Sequence, residues 1–146
     1  MTRRVNGFTL LELLVVLVIM GVMLAAAPAA LQRVLPGLGL SAAGREIAAT
    51  MRAARGQALR DNRETAVVVD TRAKTYGLEG VARHTVDSDF ELALVAARSE
   101  QLSDTAARIR FYPDGTSTGG RVTLSAKKRK LYVVVDWLTG RARLVE

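Results

Sequence analysis

Few residues of this chain combine type and spacing in a way that could do chemistry. The most unusual is Glu12, a carboxylate at the mouth of an apolar run in the string Gly7-Phe8-Thr9-Leu10-Leu11-Glu12. An ionisable group in a membrane segment costs up to about 2.5 to 3.5 kcal/mol near the centre and calls for a partner, such as a positive terminal amine. Elsewhere, Asp87-Ser88-Asp89-Phe90-Glu91 alternates three acids, but a Ca²⁺ loop would need Gly at Leu92 and Glu at Arg98. Two Gly flank four residues in Gly115-Thr116-Ser117-Thr118-Gly119-Gly120, yet Arg121-Val122 replaces the Lys-Ser/Thr of a phosphate loop and opens a predicted strand. The lone His84 lies in a polar stretch and is expected in a surface loop. With no Cys there is neither a disulfide framework nor a thiolate metal site. Acid/base chemistry would rest on carboxylates without special spacing, so no enzyme activity, cofactor or metal is expected.

The chain has 146 residues, 49% of them hydrophobic, and a net charge of +7, a size that suits one small domain. A positive field collects polyanions, so where the charge sits matters. Residues 1–60 carry 7 Lys and Arg against 2 acids, whereas residues 61–146 carry 14 against 12. Four of those 14 form the run Lys127, Lys128, Arg129, Lys130, and aromatics are only 5%. No broad basic face interleaved with aromatics is implied, so a nucleic-acid partner is not expected.

Three kinds of element must position these residues. From Leu13 to Leu31 there are 19 residues without a charge, which as a helix reach roughly 28 Å, close to a bilayer core. Ten are Leu, Val or Ile, favouring insertion by roughly 3 to 6 kcal/mol. Arg3 and Arg4 precede the run and no charge follows it until Arg33, which orients the N-terminus to the cytoplasm. Pro28 would kink this helix, and Pro36, Gly37 and Gly39 mark a looser stretch. Next, Leu40, Gly44, Ile47, Met51, Ala54 and Ala58 form one helical stripe, with Arg45, Glu46, Arg52, Arg55 and Arg60 mainly on a solvated side. Beyond Asn62, seven short β-rich runs follow: 65–69, 75–78, 90–97, 109–112, 121–125, 131–135 and 141–145. Turn chemistry separates several of them at 70–74, at Pro113-Asp114-Gly115, at 127–130 and at Thr139-Gly140. The expected fold is α+β, a long N-terminal helix packed on a small antiparallel β-sandwich.

A secretory signal peptide shares the basic start and apolar run, but such peptides rarely carry a charge at the position of Glu12. The string Gly7 to Glu12 closely resembles the prepilin-type signal of type IV pilins and type II secretion pseudopilins. The resemblance implies cleavage by a prepilin peptidase between Gly7 and Phe8, methylation of the Phe8 amine, and pairing of Glu12 with the terminal amine of a neighbouring subunit. The implied organisation is a leader over 1–7, a transmembrane and filament-core helix over 8–31, a periplasmic stem helix over 32–62 and a β-rich globular domain over 63–146. It places the protein in the inner membrane with a single pass and its C-terminal domain in the periplasm.

A second resemblance lies in the C-terminal half. Phe111-Tyr112-Pro113-Asp114-Gly115-Thr116-Ser117-Thr118-Gly119-Gly120-Arg121, followed by Val133-Val134-Val135-Asp136-Trp137-Leu138-Thr139-Gly140-Arg141, is similar to the H-type minor pseudopilins of type II secretion, the GspH family. These residues have structural reasons of their own: a tight turn at Pro113-Asp114-Gly115, backbone freedom at Gly119-Gly120, and Trp137 as anchor of the final hairpin. The resemblance implies a place near the pseudopilus tip, linking I-, J- and K-type minor pseudopilins to the major G-type subunit, in export of folded proteins. Glu12 disfavours the K-type, which typically lacks that carboxylate. The alternative is a DNA-binding minor pilin of the related FimT/FimU group. Gly140-Arg141-Ala142-Arg143 fits a Gly-Arg-x-Arg pattern of its DNA-binding members, and Lys127, Lys128, Arg129 and Lys130 could add phosphate contacts.

Overall fold

The structure, a computed structural model, describes residues 9–146, including all side chains but those of 24–38. Gly7 and Phe8, the expected cleavage and methylation positions, lie outside the described residues, as does the leader. The chain divides into two units, Met1–Pro36 and Gly37–Glu146. One helix, α1 (Leu10–Asp61), contributes residues to both.

In the first unit, every described residue from Leu10 to Met23 is exposed, on all faces of the helix. Among the described residues no helix is long and apolar enough to cross a membrane. The remainder of the expected span, the side chains of 24–31, lies outside them. The helix continues through Pro28 and through Pro36-Gly37, so the looser stretch expected at 36–39 is helical. A proline forfeits one backbone bond, and helix-forming residues on either side hold the turn despite that loss.

In the second unit the expected stripe of α1 faces inward: Leu40, Ile47, Met51, Ala54 and Ala58 are each at most 1% exposed, and Gly44 is buried with them. Eight strands follow: β1 (Thr65–Asp70), β2 (Thr75–Leu78), β3 (His84–Thr85), β4 (Glu91–Ala96), β5 (Ala106–Phe111), β6 (Gly120–Ala126), β7 (Arg129–Val135) and β8 (Ala142–Val145). They build two antiparallel four-stranded sheets, ordered β3-β2-β1-β5 and β4-β6-β7-β8. One core joins the helix stripe to Val67, Val69, Ile109 and Phe111 of the first sheet and to Val122, Leu124, Leu131 and Val133 of the second. At Gly44 helix and second sheet approach so closely that a Cβ would lie 2.9 Å from Leu144 Cδ1.

Two strands differ most from expectation, and β7 begins at Arg129, inside the turn expected at 127–130, because Arg129 and Lys130 pair with Ala126 and Ser125 of β6. Strand β5 starts three residues before Ile109, because pairing along the whole of β1, from Thr65↔Phe111 to Asp70↔Ala106, outweighs the weak strand preference of Ala-Ala-Arg. The expected loop around His84 contains β3, an edge strand whose two residues pair with Thr75 and Tyr76. Two residues carry no readable periodicity.

Candidate functional site

The beginning of α1 is organised by Thr9. Its side-chain oxygen accepts a hydrogen bond from the Glu12 N–H at 3.2 Å, and its carbonyl lies 3.1 Å from the same donor. Thr9-x-x-Glu12 thus has the spacing of a capping box, with an acid in the first turn where the helix dipole favours it. Glu12 is exposed and is the only ionisable side chain from Thr9 to Met23, so its carboxylate is available within the apolar start of the helix.

The two C-terminal segments that resemble the family motif meet in space. In the first, the Asp114 carboxylate accepts bonds from the Thr116 hydroxyl (2.7 Å) and backbone N–H (2.9 Å), while the Gly115 N–H donates to the Tyr112 carbonyl. In the second, the Asp136 carboxylate accepts from the Thr139 N–H and hydroxyl, both at 2.8 Å. Bonds from Thr116 and Thr139 respectively hold both carboxyls below the usual range. The turns abut at Gly115 and Gly140. With φ of +59°, Gly140 approaches so closely that a Cβ there would lie 2.3 Å from the Gly115 carbonyl oxygen. Arg55 of α1 secures the joint: its Nε–H donates to the Gly115 carbonyl at 3.1 Å and the Thr139 carbonyl at 2.9 Å.

This corrects two expectations. Arg55 belongs to the fold rather than to a solvated helix side, because both turn carbonyls come within its reach. Trp137 does not anchor the hairpin: it is 66% exposed, and Leu138 beside it 59%. The backbone there does the holding, with the Ser117 N–H donating to the Trp137 carbonyl at 2.8 Å.

A second charged centre escaped the sequence reading. Glu100, in a 3-10 turn (Arg98–Glu100), is 5% exposed. It accepts bonds from Arg108 Nε at 2.7 Å and Arg110 Nε at 3.2 Å, and these arginines in turn pair with Glu79 and Glu64. Burial pushes the Glu100 carboxyl up, but the hydrogen bonds and charges of Arg110 and Arg108 outweigh it and hold the group below its ordinary value. Arg108 and Arg110 stand opposite Val68 and Ala66 in the β1–β5 register, so their stems cover the outward face of that sheet. The available signal was Arg108-Ile109-Arg110, two arginines on one strand face.

His84 stacks on Tyr76, with ring centroids 5.5 Å apart, and its Nδ1 lies 3.6 Å from the Glu46 carboxylate. Burial and the nearby Glu46 charge push the Tyr76 hydroxyl up. Of the basic residues, Lys127 and Lys128 form the β6–β7 turn, Arg129 and Lys130 begin β7, and Arg143 on β8 pairs opposite Val134. Arg141 stands beyond the far end of β7, roughly 20 Å from Lys130 at about 3.3 Å per residue. The basic run and the Gly-Arg-x-Arg segment are therefore not brought together.

The architecture is shared with minor pilins and pseudopilins. The minor pseudopilin EpsH from the type 2 secretion system of Vibrio cholerae superposes with a TM-score of 0.56 at 12% identity, over 72% of this chain and 94% of that one. The type IV minor pilin FimU of Pseudomonas aeruginosa gives 0.55 at 15% identity, over 73% and 88%. Residues 2–28 match the prokaryotic N-terminal methylation motif. A helix-on-two-sheets domain behind such a motif defines a pilin-like subunit. Residues 43–139 match the family described as Type II transport protein GspH. Over 141 residues the chain is 32% identical to Type II secretion system protein H of Xanthomonas campestris pv. campestris, covering 97% of this chain and 83% of that protein. The chain belongs to the GspH family, a family of structural pseudopilins rather than of enzymes.

Proposed function

We propose that this protein is processed between Gly7 and Phe8 by a prepilin peptidase, is methylated on the Phe8 amine, and keeps its apolar helix as a single pass in the inner membrane with the C-terminal domain in the periplasm. It joins the type II secretion pseudopilus near the tip, between I-, J- and K-type minor pseudopilins and the major G-type subunit, and supports export of folded proteins. The observation that carries this reading is the exposed apolar start of α1 with Glu12 as its one ionisable group. In a low-dielectric filament core such a carboxylate is stabilised by the terminal amine of the next subunit. Replacement of Glu12 by Leu is expected to leave membrane insertion intact and to lower the amount of protein recovered in pseudopili by at least about tenfold, one lost pairing of roughly 1.4 kcal/mol. Immunoblotting of sheared pseudopili checks this, and normal incorporation of Glu12→Leu would refute the pairing. The same assay with secretion of an exoprotein as readout distinguishes a secretion subunit from a DNA-binding pilin.

A further inference from the structure

The two sheets treat their outward faces differently. On the first, Val68 (1% exposed) and Ala66 (4%) are closed over by the Glu100, Arg108 and Arg110 network. On the second, the matching positions mix apolar and polar side chains, and no such network covers them. The register aligns Val95, Arg121, Val134 and Arg143 in one row across β4, β6, β7 and β8, and Ala93, Thr123, Tyr132 and Val145 in the next. Val95 is 67% exposed and Val145 47%. Outward strand positions bordering water are ordinarily polar, so Val95, Val134, Tyr132 and Val145 standing among them mark a contact surface.

Its charge specifies the partner. The Arg121 guanidinium lies 5.6 Å from the centroid of the Tyr132 ring, which limits its freedom and lowers the entropy lost on pairing. Among the described residues, neither Arg121 nor Arg143 forms an ion pair. Asp136 feels the charge of Arg143, but its carboxylate is held by Thr139. The face thus offers two uncommitted guanidiniums around an apolar centre, the complement of an apolar patch flanked by carboxylates.

We propose that the outward face of β4-β6-β7-β8, centred on Val95, Arg121, Tyr132, Val134 and Arg143, docks a different pseudopilin subunit through such an acidic-rimmed apolar patch. That the partner is a fellow subunit rests on the reading under Proposed function; the chemistry of the face does not. The face is roughly 20 Å square, about half the area per partner of a stable binary complex, so the contact operates within the assembled filament.

A photo-reactive benzophenone side chain placed at Val134 of the full-length chain, in cells making the complete secretion system, tests it. Illumination is expected to give an adduct whose second component is another pseudopilin, with none from the same probe at exposed Arg72. The Arg121→Glu, Arg143→Glu double variant should reduce the yield at least tenfold, and Arg121→Lys, Arg143→Lys should retain most of it. If protease sensitivity shows the reversed variant to be unfolded, Arg143→Gln alone replaces it, with an expected loss of at least threefold. Absence of the adduct, an adduct unaffected by these charge changes, or crosslinking to a second copy of the chain or to DNA overturns the proposal. Glu12→Leu run in parallel separates the two readings. Loss of incorporation by Glu12→Leu together with no Val134 adduct would remove the face and leave the filament role. An adduct alongside normal incorporation of Glu12→Leu would keep the face and refute the pairing of Glu12.

Discussion

Glu100 shows how one residue reorganises the meaning of its neighbours. By sequence it is one of six acids from Glu79 to Asp104, with no spacing that singles it out. In the fold it is the shared acceptor of two arginines, and the ladder Glu64–Arg110–Glu100–Arg108–Glu79 forms the outer layer of the first sheet. Removing one partner of a buried pair leaves an uncompensated charge; with the arginines about one quarter exposed, Glu100→Gln is expected to cost about 2 kcal/mol. Because its carboxyl is held below the ordinary value when folded, the stability it contributes is complete above that value and is lost as pH falls through the lowered one. Chemical denaturation of wild type and Glu100→Gln should therefore show a gap that is full at neutral pH and shrinks below about pH 4.5. A gap that stays constant or widens on acidification would contradict this. Glu12 is the opposite case, since type and place alone single it out: a single carboxylate beside an apolar run.

At the scale of elements, the informative joint is the one between two turns. Pro113-Asp114-Gly115 and Asp136-Trp137-Leu138-Thr139-Gly140 each announced a turn by composition, but their contact through Gly115 and Gly140 and their common tie to Arg55 link residues 60 and 84 positions apart. No local pattern contains such a pairing. Gly140→Ala would set a Cβ 2.3 Å from a backbone oxygen at a φ of +59°, and is expected to destabilise the domain by about 3 kcal/mol and lower its Tm by roughly 10 °C or more. Thermal unfolding followed by circular dichroism would show it, and a Tm within about 2 °C of wild type would mean that the joint is looser than described. Trp137 marks the limit of reading elements by residue type. An aromatic at a hairpin invites an anchoring role, yet Asp136, Thr139 and Arg55 already hold the turn and leave the ring outside.

For the whole molecule, all buried described residues lie between Leu40 and Ala142, inside the unit Gly37–Glu146. Each Val, Leu, Ile or Phe side chain buried there contributes roughly 1.5 to 3 kcal/mol, and none of that depends on the apolar helix start. A fragment beginning at Gly37 is expected to unfold in one cooperative transition with native near-UV dichroism; a gradual transition would show that the core needs the residues before it. The sequence by itself determined the periodicities: the stripe from Leu40 to Ala58, the strand runs, the turn residues, and the apolar segment with its carboxylate. Those are properties of neighbours a few positions apart, fixed by backbone geometry and by the demand that apolar faces leave water. Only the tertiary structure decided which charges are spent and which are free. Arg55, Arg108 and Arg110 are held by distant carbonyls and carboxylates, whereas among the described residues Arg121 and Arg143 form no ion pair on the outward face of the second sheet. A charged side chain looks the same in sequence whether or not a partner waits for it across the fold, and so the net charge of +7 could not reveal where a binding face lies.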